Sequence, residues 1–257
     1  MIKLKTEAQI EKMRAAGALL YSVLSALREA AKPGVTTLEL DALAEKLIRA
    51  GGARPSFKGY AGFPYSICAS VDQQVIHGFS NDKPLKQGQL LSIDCGVILD
   101  SWQSDSALSV VVGGGNKAAQ RLIDVTERCF YLGANMARPG NTLGDIGHAV
   151  QAYAEKMGCG VIRDYTGHGI GQEMHEDPSV PNYGTPGRGV KLRSGMTIAI
   201  EPMLTAGSWR VQTLQDGWTV VTRDGSLAAH YEHTVLVTEG EPELLSFPGR
   251  RVQEGLS

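Results

Sequence analysis

Ten consecutive residues occur twice in this chain, and both copies run an apolar segment onto an acid. LKQGQLLSID (Leu85–Asp94) aligns without gaps on LRSGMTIAIE (Leu192–Glu201) at an offset of 107, with seven of the ten positions identical or close. Lys32-Pro33-Gly34-x-Thr36 matches Arg138-Pro139-Gly140-x-Thr142 at an offset of 106. Two matches at nearly one offset mark an internal repeat rather than chance. Such a chain folds as two related units, roughly residues 1–113 and 114–245, and their shared pattern sets the fold class.

That pattern is helices followed by strands. In the first unit Thr6 with Gln9, and Thr36 with Glu39, are capping boxes opening amphipathic helices. Gly17 sits on the apolar face of the first helix, where it lets a neighbour pack closely. Short β-type runs follow: SICASV, QVIHGF, LLSIDCGVIL and ALSVVV. The second unit repeats the order, with helices near Asn116–Met136 and Thr142–Met157, then GVIRDY, MTIAIEPML, GWTVVT and EHTVLVT. The expectation is an α+β fold, a single domain over 1–257 with two pseudo-twofold halves. The stretch from about Phe247 to 257 carries no pattern and is expected to fray.

Composition excludes several function classes. Twenty-five Lys and Arg against 27 Asp and Glu give a formal charge of −2, which lacks the basic footprint of nucleic-acid binding. No apolar run approaches the roughly 18–20 residues that span a bilayer, and the opening MIKLKTEAQ turns polar too early for a secretory signal. Cys68, Cys95, Cys129 and Cys159 form no CxxC pair; they read as reduced thiols, and the cytoplasm is the expected compartment. Gly113-Gly114-Gly115-Asn116-Lys117 lacks phosphate-loop spacing and reads as a turn entering a helix capped by Asn116.

The acids carry the chemistry. Asp94 and Glu201 end the two repeated strands in the same sense, and Asp105 and Glu232 occupy strand-like positions downstream. Carboxylates inside a sheet cost several kcal/mol each unless compensated, so four of them together call for protons or cations. GHGIG places His168 between glycines, while His175 and His77 stand at comparable places ahead of the two repeated strands. His148 reads as helix surface; of His230 and His233, beside Glu232, neither is expected as a ligand, although one could serve as an outer hydrogen-bond partner. Four carboxylates and an imidazole describe an oxygen-rich site for two divalent ions about 3.5–4 Å apart, sharing a water that ionises near neutral pH. The implied chemistry is metal-assisted hydrolysis, with Mn, Fe, Co and Zn all compatible with the ligand set.

The order Asp94, Asp105, His168, Glu201, Glu232 resembles the five-ligand set of the pita-bread metallopeptidases, and within them the chain is similar to the type I methionine aminopeptidases. SIDCGV, SDSAL, GHGIGQEMHEDP, IAIEPM, DGWTVVTRDGSLAAHYEHT and VIHG carry the likeness, which spans roughly residues 3–245. The resemblance implies hydrolytic removal of N-terminal methionine from peptides or nascent proteins, and a single chain of this size with a complete site is expected to act as a monomer. Ribosome docking is left open; neither nucleic acid nor membrane is implied as a partner. By the same likeness Asp94 and Glu232 bridge the metals, Asp105 completes one shell, and His168 with Glu201 the other. Glu201 also handles the proton of the water, His77 bonds the amide-nitrogen side, and His175 assists the carbonyl oxygen. Tyr60, Phe63, Cys68, Met174 and Trp218 line the methionine pocket, with Phe57 at its edge.

Spacing narrows the subtype. Only 31 residues separate Glu201 from Glu232, too few for the helical insertion of type II members, and without a CxxC the chain resembles the short bacterial form. Two other readings share these residues: an Xaa-Pro exopeptidase of the same fold, whose members usually add an N-terminal domain, and a retired member serving as a binding module.

Overall fold

The computed structural model describes residues 1–256. The four helices are α1 (Glu7–Ala30), α2 (Thr37–Ala50), α3 (Lys117–Asn135) and α4 (Leu143–Lys156). The strands of the first half are β1 (Arg54–Pro55), β2 (Ile67–Val71), β3 (Gln74–Ile76), β4 (Leu90–Leu99) and β5 (Trp102–Val111). Those of the second are β6 (Gly160–Val161), β7 (Gly167–Gly169), β8 (Glu176–Val180), β9 (Thr197–Ile200), β10 (Met203–Thr205), β11 (Val211–Thr213), β12 (Val220–Thr222), β13 (Ala228–His230), β14 (Glu232–Leu236) and β15 (Glu243–Leu244). The helix starts follow the capping residues: Thr6, Thr36 and Thr142 each close a capping box, and the Asn116 side chain accepts from the Ala119 amide.

The repeat in sequence is a repeat in space. Leu85 N–H donates to Val35 C=O at 2.8 Å, and Leu192 N–H to Asn141 C=O at 2.8 Å. The bridge Thr36–Pro84 has its counterpart in Thr142–Lys191. Gly34 and Gly140 hold φ of 93° and 92°, and Gly88 and Gly195 hold 85° and 88°, a left-handed backbone that glycine adopts at no steric cost.

The main sheet runs β1-β4-β5-β14-β9-β7-β8, with β2 also on β4 and β15 on β14. The junction of the halves is the antiparallel pair β5–β14, Glu232 opposite Ala107 and His233 opposite Ser106. Helices cover one face. Leu20, Val23 and Leu27 of α1 and Leu40 and Ala44 of α2 bury Ile67, Ile93 and Cys95 in one core; Phe130, Tyr131 and Ile146 bury Ile198, Ile200 and Val235 in another. All four cysteines are buried and unpaired.

Three segments differ from the sequence reading. GVIRDY pairs only at Gly160–Val161; MTIAIEPML splits at Glu201-Pro202, because proline has no N–H to extend a ladder. The tail expected to fray is docked: Phe247 stacks on Tyr21 with ring centroids 4.8 Å apart, Val252 is fully buried, and the Gly255 carbonyl accepts from Arg128 at 2.8 Å. Aperiodic anchoring of this kind leaves no pattern to read; Ser257 lies outside the described residues.

Gly17 fits its expected role. A Cβ there would lie 1.9 Å from the Leu245 carbonyl oxygen, so α1 crosses the main chain after β15 at backbone contact. Gly17→Ala is expected to lower stability by about 2 kcal/mol or more, although alanine is the better helix former by about 1 kcal/mol. Urea denaturation measures this, and an unchanged or raised midpoint would refute the close approach.

Candidate active site

Sheet register alone puts the acids on one face. Cys68 lies opposite Asp94, Asp94 opposite Ala107, and Ala107 opposite Glu232, one row across four strands. Directly opposed residues point the same way, as do residues two apart on one strand; Asp105 therefore shares the face of Ala107. Ile200 pairs with His233, so Glu201 and Glu232 share the other face of their strands, the one away from the helices. Ile93 and Ile200 take the helix side.

The side chains converge. His168 Nε2 is 3.7 Å from both Asp105 Oδ2 and Glu201 Oε1. Donor atoms of Asp105, His168 and Glu232 lie within 4.8 Å of one another, as do those of Asp94, His230 and Glu232. Glu232 belongs to both groups. Four of the nine buried side-chain N and O atoms that lack a hydrogen-bond partner among the described residues are here: Asp94 Oδ1, Asp105 Oδ1, Glu232 Oε1 and His230 Nε2. No Lys or Arg among the described residues lines the cleft. Hard oxygen donors left unpaired in a dry site, with imidazole beside them, fit divalent cations.

Ionisation without a cation is correspondingly difficult. Burial, then the neighbouring carboxylates, hold Asp94 and Glu232 well above the usual carboxylate range. Burial pushes Glu201 up to about 8, with His168 opposing and Asp105 adding. For His168, burial disfavours the charge but Asp105 and Glu201 outweigh it, and the net shift is upward. Burial, reinforced by the facing His175, lowers His77 to about 4.

The cleft above these groups has a volume of about 190 Å³. Phe57, Tyr60, Phe63, Cys68, His77, His175 and Trp218 line it together with Asp94, Asp105, His168, Glu201 and Glu232. His77 is held at φ 56°, and its ring meets Trp218 and Tyr165 edge-on. The Tyr60 hydroxyl is 2.7 Å from His175 Nδ1, and the His175 ring is 4.3 Å from that of His168. His148 is exposed on α4, as expected.

Two assignments change. Met174 does not line the cleft: it packs with Ile10, Met13, Trp102 and Leu245, its Cε close over Gly96, so it backs Phe57 instead of facing the cavity. His230, set aside as a ligand, is 2% exposed, with Nε2 3.8 Å from Glu201 and 3.7 Å from Glu232. It ends β13, a short strand separate from β14 that no alternation in the sequence marks. His233 faces the helix side, bonded to Ser106, Ser246 and Tyr231. Ile76, Tyr165 and Thr166 complete the wall; Ile76 lies within VIHG, and Tyr165 and Thr166 immediately precede GHGIG.

Residues 11–239 match the model of metallopeptidase family M24. The chain belongs to that family. It is 53% identical over 247 residues to a methionine aminopeptidase of Clostridium acetobutylicum, covering 96% of this chain and 99% of that one. The crystal structure of methionine aminopeptidase from Rickettsia prowazekii superposes with a TM-score of 0.95 at 46% identity, over 96% of this chain and all of that one. A prolidase from Pyrococcus furiosus shares the pita-bread fold at a TM-score of 0.75 and 24% identity, with 66% of its length covered. Within the family the chain therefore sides with the methionine aminopeptidases over the Xaa-Pro enzymes.

The proton balance makes a prediction about stability. Glu201 binds its proton more tightly folded than unfolded, so the native state carries more protons and stability falls as pH rises through its window. His77 and His230, with depressed values, are neutral in both states above about pH 7 and do not offset this. Chelator-treated protein is expected to unfold at lower urea concentration at about pH 8.5 than at about pH 7, and added Mn²⁺ to restore the midpoint. A flat profile indifferent to Mn²⁺ would contradict the site.

Proposed function

We propose that this chain hydrolyses the first peptide bond of peptides and nascent proteins that begin with methionine, using two divalent cations held by Asp94, Asp105, His168, Glu201 and Glu232. The observation that carries the reading is the convergence of partnerless buried oxygens on the floor of a cleft walled by aromatic rings and a thiol. Glu232 belongs to both donor groups, and Asp105 Oδ2 lies 3.7 Å from His168 Nε2. Together with Asp94, Asp105, His168 and Glu201, Glu232 would hold the cations. Bound there, the cations would polarise the scissile carbonyl and acidify a shared water.

The remaining work belongs to the side chains. Glu201 accepts the proton of the attacking water and returns it to the departing amine. The Tyr60 hydroxyl donates to His175 Nδ1, which leaves Nε2–H as the donor towards the carbonyl oxygen. His77, kept neutral by burial, contacts the amide nitrogen side. Phe63, Trp218, Tyr60 and Cys68 receive the methionine side chain, whose polarisable thioether suits rings and sulfur. Among the described residues no helix is long and apolar enough to cross a membrane.

Glu201→Gln is expected to fold and to lower kcat about a thousandfold; wild-type turnover with cations bound would remove Glu201 from its role. Asp94→Asn is expected to reduce the divalent-ion content measured by elemental analysis after dialysis, and full occupancy would exclude it as a ligand. Met-Gly-Met should be cleaved in strong preference to Xaa-Pro peptides, and the reverse order would favour the Xaa-Pro reading.

A further inference from the structure

His175 ends the six-residue loop Ile170–His175 between β7 and β8. What holds it is a buried ion pair from the opposite end of the chain. Lys5 Nζ lies 2.6 Å from Glu176 Oε2, with the two side chains only 4% and 6% exposed. The other carboxylate oxygen, Oε1, accepts from the Gln172 and Glu173 amides at 3.2 and 3.5 Å, closing the loop on itself. Lys5 is fixed in turn: its amide donates to Gly195 C=O at 2.8 Å, in the turn that enters β9, the strand leading to Glu201. The pair occupies space that only glycine leaves free, since a Cβ at Gly171 would lie 2.5 Å from Glu176 Oε1 and 2.7 Å from Lys5 Cε. On the far side Gln103 N–H donates to Gly171 C=O at 2.8 Å.

We propose that the Lys5–Glu176 pair is a positioning device for His175: it ties the loop to the turn ahead of β9, so that the imidazole and Glu201 keep a fixed separation across the cleft. A buried ion pair is a poor source of net stability, because desolvation offsets most of its attraction, but it fixes geometry that apolar contacts leave loose. This rests on His175 acting at the substrate carbonyl, as proposed above. Lys5 touches no reacting group; it acts through the loop.

The test is a double-mutant cycle between Lys5 and His175 on Met-Gly-Met hydrolysis by the Mn²⁺-loaded enzyme. Lys5→Met is expected to lower kcat about 10- to 100-fold, as a displacement of about 1 Å does, with KM nearly unchanged. In a His175→Ala background the same change should cost nearly nothing further, because there is no imidazole left to place. Lys5→Met/Glu176→Gln, which removes both charges but keeps the acceptor for the loop amides, protects against misfolding from a stranded carboxylate and should show the same kcat loss. Equal losses with and without His175, or full kcat in the doubly neutral variant, would overturn the positioning role. If His175→Ala alone retains wild-type kcat, the assignment of His175 falls first, and the proposal with it.

Discussion

Burying four carboxylates on one face of a sheet is the constraint to which the rest of this structure answers. Elsewhere the protein pairs its buried charges. Asp41 takes the Ser66 and Ile67 amides, at 2.7 and 3.1 Å, and Glu176 takes Lys5 and two amides. At the centre of the sheet no such partner is provided, and oxygens of Asp94, Asp105 and Glu232 face one another unpaired. A fold that leaves its most expensive groups unsatisfied in one place has kept that place for charge brought from outside.

The doubled architecture makes this convergence simple to build. One acid comes from each of four adjacent strands, β4 and β5 from the first half, β14 and the end of β9 from the second. Ala107, small and central to the row Asp94–Ala107–Glu232, leaves the space into which its neighbours lean. Function enters where the halves differ. The first half adds Tyr60, Phe63 and Cys68, and the second adds the glycine-flanked His168. His77 and His175, related positions ahead of the repeated strands, face the same cleft from the two sides.

Much of this was legible in the sequence because it was periodic or repeated. The capping threonines and the repeated strands are local patterns; the fold realises the helix starts within one or two residues, and Glu201 follows the end of β9, whereas Asp94 lies in the middle of β4. What escaped was set by tertiary contact. Met174 reads as one more pocket residue beside His175, but the loop turns its side chain under Gly96. His230 reads only as a residue beside Glu232, outside the EHTVLVT strand, but it ends a strand of its own, β13, which brings it into one donor group with Asp94 and Glu232. Lys5, in a polar opening segment, gives no sign of a partner 171 residues away. The docked tail is of the same kind, held by Tyr21 and Tyr131 without any periodicity of its own.

The same register that assembles the donors also limits what can be cleaved. Cys68 sits directly opposite Asp94, so one end of the side-chain pocket is one strand spacing from the reacting groups, about 4.7–4.9 Å. Behind it the wall is stiff: Phe63 meets Trp218 and Phe79 edge-on at 5.1 and 5.6 Å, each ring bracing the next. On the proposed reading, a pocket this close to the acids takes a single side chain before the bond to be broken reaches them, which suits an exopeptidase. An apolar wall distinguishes side chains by only about 1–3 kcal/mol per methylene, so shape must supply the remaining selectivity. On the same reading the ring wall disfavours branching near Cα, while an unbranched thioether meets sulfur and π-faces with favourable dispersion.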